Sequence, residues 1–225
     1  MVFTLSDLNM DEVLRYMGVP PEKADPTTRV LAQDCIQQLS ETISPRWTHR
    51  ICSISPKTDG ILLDNRLLLP GQDIKRHLES CSQAALFART LSAFADSLIR
   101  RTEPVDMARA YVLDCCATAV TEHFCNQAEQ HLQAMFPGCF FPFRYSPGYG
   151  DLPLDIQPDL LNLLDAPRRI GLTSSASSIL IPRKSVTAIL GISEHPVSQT
   201  IRSCLTCPGF DSCQYRKSGG HCGIS

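Results

Sequence analysis

The hexapeptide Arg144-Tyr145-Ser146-Pro147-Gly148-Tyr149 is the most informative stretch of this sequence. A glycine between a proline and an aromatic lets the backbone come close to a ligand. An arginine at the entry to such a turn offers a planar fork suited to a carboxylate. The hexapeptide lies among Pro137, Gly138, Pro142, Gly150 and Pro153, so the segment reads as a shaped loop between short extended pieces. Before it, from about Val105 to Met135, runs the longest helical pattern. Its Ala110, Leu113, Cys116, Ala117, Val120 and Phe124 recur at spacings of three and four and predict a core-facing stripe. After it, Pro158 to Leu164 predicts a brief helix. Two strands follow, Ser177 to Ile181 and Ser185 to Ile192, separated by Pro182-Arg183-Lys184.

Further toward the N-terminus, Asp11 to Met17 predicts a short helix that stops at Gly18. Asp25 and Pro26 open a longer one, with an apolar stripe of Val30, Leu31, Cys35, Ile36, Leu39 and Ile43. Arg46 to Ile54 is strand-like. Gly60-Ile61-Leu62-Leu63 and Arg66-Leu67-Leu68-Leu69 suggest a pair turning at Asp64-Asn65. A short helix is expected after Gly71, then a buried strand from Ala84 to Thr90. Strands and helices come in runs without strict βαβ alternation, which favours an α+β layer architecture. The preferred division is a domain over 1–192 and a tail over 193–225.

The 225 residues suit one sizeable domain, or one domain with a small appendage. With 43% hydrophobic and 20% charged residues the composition is that of a globular protein, and a net charge of -2 leaves no basic footprint for nucleic acid. No apolar run approaches the roughly 18–20 residues that span a bilayer. The N-terminus carries an early acid, Asp7, and no basic region followed by an apolar stretch, so a signal peptide is not expected. The reading is cytoplasmic, without a membrane partner.

Eleven cysteines fall into two populations. Seven, between Cys35 and Cys139, suit small buried hydrophobes. The other four, Cys204, Cys207, Cys213 and Cys222, crowd into a polar, Gly-containing tail with little to build a core from. Thiolates so spaced suit tetrahedral zinc or an iron–sulfur cluster, with His221 as an alternative ligand. Unliganded thiols, or a redox dithiol at Cys204 and Cys207, are the competing readings.

Arg144 to Tyr149 resembles the Arg-x-x-Pro-Gly-Tyr signature of the activation (reactivation) domain of cobalamin-dependent methionine synthase. Other stretches are similar to free-standing members of that family: Glu12-Val13-Leu14-Arg15-Tyr16-Met17-Gly18, Asp73-Ile74 with His77-Leu78, and Cys81 with Leu86-Phe87-Ala88-Arg89-Thr90-Leu91. Leu113-Asp114 leading to Val120-Thr121-Glu122, and Pro182-Arg183-Lys184-Ser185-Val186-Thr187-Ala188, continue the match, which covers about residues 10–192. The fused enzymes read Arg-Pro-Ala-Pro-Gly-Tyr-Pro, from which this chain departs at Tyr145, Ser146 and Gly150.

The resemblance implies a curved α+β domain, an antiparallel sheet with helices, that binds S-adenosylmethionine near the turn. Carried over by position, Arg144 meets the ligand carboxylate, Ser146 offers backbone contacts, Glu122 contacts the ligand from the long helix, and Pro147, Gly148 and Tyr149 shape the pocket. The implied role is an accessory one: reductive methylation of cobalamin carried by a partner, a methionine synthase or related corrinoid methyltransferase, with a low-potential electron donor. The chain has no Asp-x-His-x-x-Gly for binding a corrinoid from below and no room for folate and homocysteine modules, so it is not a complete methyltransferase. Two other readings stay open, a metal- or cluster-bearing electron carrier and a module that senses S-adenosylmethionine without chemistry.

Overall fold

The computed structural model describes residues 4–197, together with Asp211 and Lys217. The four tail cysteines and His221 lie outside the described residues.

Helix α1 (Met10–Tyr16) is capped by the Asn9 side chain, which accepts from the Asp11 N–H at 2.9 Å. Helix α2 (Pro26–Thr42) opens with the Asp25 carboxylate on the Thr28 N–H at 2.8 Å and Pro26 in its first turn. It buries Ala32, Cys35 and Leu39, whereas Val30, expected in the apolar stripe, is 54% exposed. The reason is angular: nine residues separate Val30 from Leu39, two and a half turns, which sets them on opposite sides.

Strand β1 (Arg46–Lys57) is long enough to serve two partners. Its first part pairs with β4 (Gln83–Thr90), and Ile54 to Lys57 pairs with β2 (Gly60–Leu63), which turns back into β3 (Leu67–Pro70). The turn lies where the sequence placed it, with Asp64 and Asn65 both at positive φ. At the junction the Asp64 carboxylate accepts from Arg50 Nε and Nη2, at 2.9 and 2.8 Å, and from the Ser53 N–H at 2.9 Å. Strand β7 (Ser185–Ile192) pairs with the other side of β4, giving an antiparallel sheet in the order β3-β2-β1-β4-β7.

Alternation along the strands assigns the faces. Leu86, Ala88 and Ile189 point into a core closed by α3 (Gln72–His77), α6 (Gln157–Leu163) and α7 (Ala166–Ile170). Ala85, Phe87, Ala188 and Leu190 point the other way, onto Cys125, Ala128 and Leu132 of α5 (Met107–Ala134). Helix α5 then packs its expected stripe, Leu113, Cys116, Ala117, Val120 and Phe124, against α1, α2 and α4 (Ala93–Thr102). It is thus buried between the sheet and three helices. Lys184, just before β7, pairs with Asp114 at 2.9 Å and donates to Thr118 Oγ1 at 2.9 Å, which ties that strand's entry to α5.

Two parts depart from expectation. Helix α4 had no predicted counterpart, although Ala95, Leu98 and Ile99 are spaced for one buried face; Arg100 and Arg101 dilute that signal. The expected strand from Ser177 shortens to β6 (Leu180–Ile181), paired with β5 (Thr173–Ser174). Ser178 sits at φ +61°, and the Ser175 and Ser178 N–H groups bond within the connecting turn, so extended backbone cannot begin earlier. The cysteines at 35, 52, 81, 115, 116 and 125 are buried free thiols and Cys139 is half-buried. Burial pushes the Cys116 and Cys125 thiols up to about 12, so they are neutral packing groups.

On the α5 face, Trp47 stacks on His49 with ring centroids 4.7 Å apart and meets His131 edge-on at 5.5 Å. Burial first, then the neighbouring His131 and Arg169, hold the His49 pKa below its ordinary value. The unfolded chain therefore takes up this proton first, so the His49 contribution favours folding above about pH 6.5 and is lost as pH falls below it. Trp47 is the chain's one tryptophan. Its emission is expected to step down below pH 6.5, because a protonated imidazole stacked on indole quenches it. In His49→Gln that step should vanish; a step retained at full amplitude would place its origin elsewhere.

Candidate functional site

The site is built where the 140–149 loop meets α5. Phe140 bridges Ser193 and Tyr145 bridges Ile189, so the loop runs antiparallel along the open edge of β7. Tyr145, opposite Ile189, faces the core closed by α3 and α6. Alternation along extended backbone turns its neighbour to the opposite face, where α5 lies. Next to the bridging Tyr145, the Arg144 side chain leaves the sheet and reaches across to α5.

On α5, Glu122, Asn126 and Glu129 are spaced four and three residues apart, so they share one face. Arg144 meets all three. Its Nη2 donates to Glu122 Oε2 at 2.6 Å, and its Nη1 donates to Asn126 Oδ1 at 2.7 Å and to Glu129 Oε2 at 2.8 Å. The Arg144 side chain is 9% exposed, against 30% for Glu122 and 18% for Glu129. Burial by itself opposes the guanidinium charge, but Cys125, Glu122 and Glu129 outweigh it and raise the Arg144 pKa. Two carboxylates on one guanidinium leave a surplus negative charge at the rim. Behind this cluster Arg89, fully buried on β4, lies 4.7 Å over the Phe124 ring and donates to the Phe124 carbonyl.

The turn that follows is pinned at several points. The Tyr149 N–H donates to the Ser146 carbonyl at 3.0 Å and the Gly148 N–H to the Leu152 carbonyl at 2.8 Å. Gly148 takes φ +91° and Gly150 φ +51°, conformations that suit glycine. The Asp151 carboxylate accepts from the Gln72 and Asp73 N–H groups, at 2.6 and 3.0 Å, which fastens the turn to the start of α3. The Tyr145 hydroxyl donates to the Tyr149 carbonyl at 3.1 Å. Burial, with Asp73 and Asp151 near, pushes the Tyr145 phenol up to about 12, so it remains a donor at neutral pH. Beneath it the His77 ring packs, tilted, against Phe143 and Tyr145 and donates to the Phe143 carbonyl at 2.8 Å. Further along, the Thr187 hydroxyl donates to Gln157 Oε1 at 2.7 Å in the interior, tying the start of α6 to β7.

The structure brings Glu122 and Arg144 into direct contact. It places Ser146 half-buried, Pro147 buried, and Gly148 and Tyr149 exposed on the turn that follows. Asn126 and Glu129 join Arg144, and Asp151 fastens the turn, without having been singled out in the sequence. The signal for Asn126 and Glu129 was their helical spacing from Glu122.

Among solved structures, the chain is similar to the crystal structure of the MetH reactivation domain bound to AdoHcy, with a TM-score of 0.63. The likeness covers 94% of this chain and 83% of that one, at 14% sequence identity. The fold is that of a reactivation domain. No family model and no curated protein matches the sequence. In this fold the 140–149 loop runs along the edge of the sheet, and α5 is the long helix it faces. Among the described residues no group of three or more His, Cys, Asp or Glu side chains could hold a metal ion, and no helix is long and apolar enough to cross a membrane.

Proposed function

We propose that this protein binds S-adenosylmethionine between the Glu122–Arg144 cluster and the Pro147-Gly148-Tyr149 turn, and supports reductive methylation of a corrinoid carried by a partner protein. The observation that carries the reading is the Arg144–Glu122 pair, 2.6 Å apart, beside a glycine-shaped turn, in a fold shared with an AdoHcy-bound domain. A guanidinium and a carboxylate side by side are the complement of an amino-acid head group, whose carboxylate and ammonium they can each meet. When bound, the sulfonium would give its methyl to cobalt made nucleophilic by one electron from a low-potential donor, and leave as the thioether.

This chain's part is positioning. Arg144 and Glu122 hold the head group, the Gly148 backbone lets the ligand approach, and the exposed Tyr149 ring walls its outer side. Such restraint raises the effective concentration of the methyl donor over the partner's cobalt. The surplus carboxylate at the rim favours a cationic ligand over a neutral one. The tail cysteines Cys204, Cys207, Cys213 and Cys222 enter this reading as a thiolate set open to zinc or an iron–sulfur cluster.

A corrinoid methyltransferase from the same cell, inactivated by one-electron oxidation, is expected to recover its methylated state with this protein, S-adenosylmethionine and a low-potential reductant together. Omission of any of the three should leave the cobalt oxidised by its visible spectrum. Recovery at the same rate without the protein would remove the reactivation role. Calorimetry of the protein with S-adenosylmethionine tests the binding step separately.

A further inference from the structure

We infer that Glu129 and Asn126 are positioning residues that anchor Arg144 while Glu122 yields to an incoming amino-acid head group, so that the Arg144–Glu122 pair is a ligand-exchange site. The inference rests on the reading just given and assigns a separate task to each edge of the guanidinium.

The contacts divide that way. The Nη1 edge donates to Asn126 and Glu129, and the Nη2 edge donates to Glu122. Of the two carboxylates, Glu122 is the more exposed, at 30% against 18%, and so is the one an outside ligand reaches first. An α-amino acid can insert here without loss of pairing. Its carboxylate takes the Nη2 edge, its ammonium takes the freed Glu122 carboxylate, and one ion pair becomes two. For this to work Arg144 must stay behind as Glu122 turns outward. A guanidinium held by Glu122 alone would follow it, and the carboxylate subsite would never open. Glu129 supplies the opposing charge, and Asn126, between the two acids on the same face of α5, supplies a neutral acceptor that keeps the fork in plane.

The carboxylate at 129 therefore matters for the head group and not for the rest of the ligand. The test compares S-adenosylhomocysteine with 5′-methylthioadenosine: both are uncharged thioethers on the same nucleoside, and only the first carries the amino-acid head. Glu129→Gln is expected to weaken S-adenosylhomocysteine binding about tenfold, the scale of one charge-assisted contact, and to leave 5′-methylthioadenosine unchanged. Asn126→Asp in the Glu129→Gln background returns a carboxylate to the same edge and should restore most of the loss. The thermal midpoint of each variant checks that the fold is intact.

Equal losses for both ligands would mean a merely structural role and overturn the inference. So would Glu129→Gln binding like the wild type, or a double variant that stays as weak as the single one. Wild-type protein that takes up neither of these ligands nor S-adenosylmethionine would overturn the proposed function, and the exchange site with it. Wild-type binding without head-group selectivity in the variants overturns the exchange site alone.

Discussion

Arg144→Ala is expected to lower the thermal midpoint at pH 7 by about 6–12 °C and to abolish measurable S-adenosylmethionine binding. The side chain is 9% exposed and joins two carboxylates and an amide on α5 to the edge loop of the sheet. Removing one partner of a buried ion pair costs about 3–5 kcal/mol, because the charges left behind lose their partner without regaining full hydration. Here Glu122 and Glu129 keep some access to water, which places the loss at the lower end, about 3 kcal/mol. For a chain of this size each kcal/mol moves the midpoint by about 2–4 °C. Arg144→Lys separates charge from geometry. An ammonium keeps the attraction but cannot serve three acceptors from a planar fork, so an intermediate midpoint is expected, with binding still impaired. A midpoint unchanged in Arg144→Ala would refute the buried network. Binding unchanged in that variant would remove Arg144 from the ligand site.

The contrast between α5 and its surroundings explains what could be read from the residues in advance. The stripe from Leu113 to Phe124 was legible because burial on one side of a helix leaves a period of three and four. The Asp64-Asn65 turn was legible because both residues tolerate positive φ between two apolar runs. Val30 misled because apolarity was taken for burial, when its angular position opposes Leu39. Helix α4 was missed because ten residues with two arginines carry little periodic signal.

The site divides the same way. Arg144 and the Pro147-Gly148 turn stood out through local chemistry. The role of Glu129 did not, because a glutamate on a polar helix face looks the same whether it meets water or an arginine fifteen positions later. Only the pairing of the 140–145 loop with β7, a long-range arrangement, makes that difference. Asp151 is a similar case: its carboxylate fastens the turn to the α3 N–H groups from 79 and 78 positions away, a distance at which local pattern carries no information.

Gly150→Ala tests how strictly the turn is built. Gly150 takes φ +51°, where an L-residue with a Cβ is strained by about 1–2 kcal/mol. A Cβ there would also lie 2.4 Å from the Tyr145 hydroxyl and 2.5 Å from Asp73 Oδ2, well inside contact distance. Something must move, and the Tyr145 hydroxyl has a function to lose: its bond to the Tyr149 carbonyl closes the turn. That bond adds about 1 kcal/mol. The expected result is a loss of about 2–3 kcal/mol, read as a midpoint lowered by about 4–12 °C. S-Adenosylmethionine binding should weaken as well, since Tyr149 is no longer held against the site. Gly138→Ala is the control: it too has positive φ, but nothing lies within 4 Å of its added Cβ, so backbone strain acts there without the clash. If the two variants lose the same stability and bind the ligand equally, the Tyr145–Tyr149 closure has no part in shaping the turn.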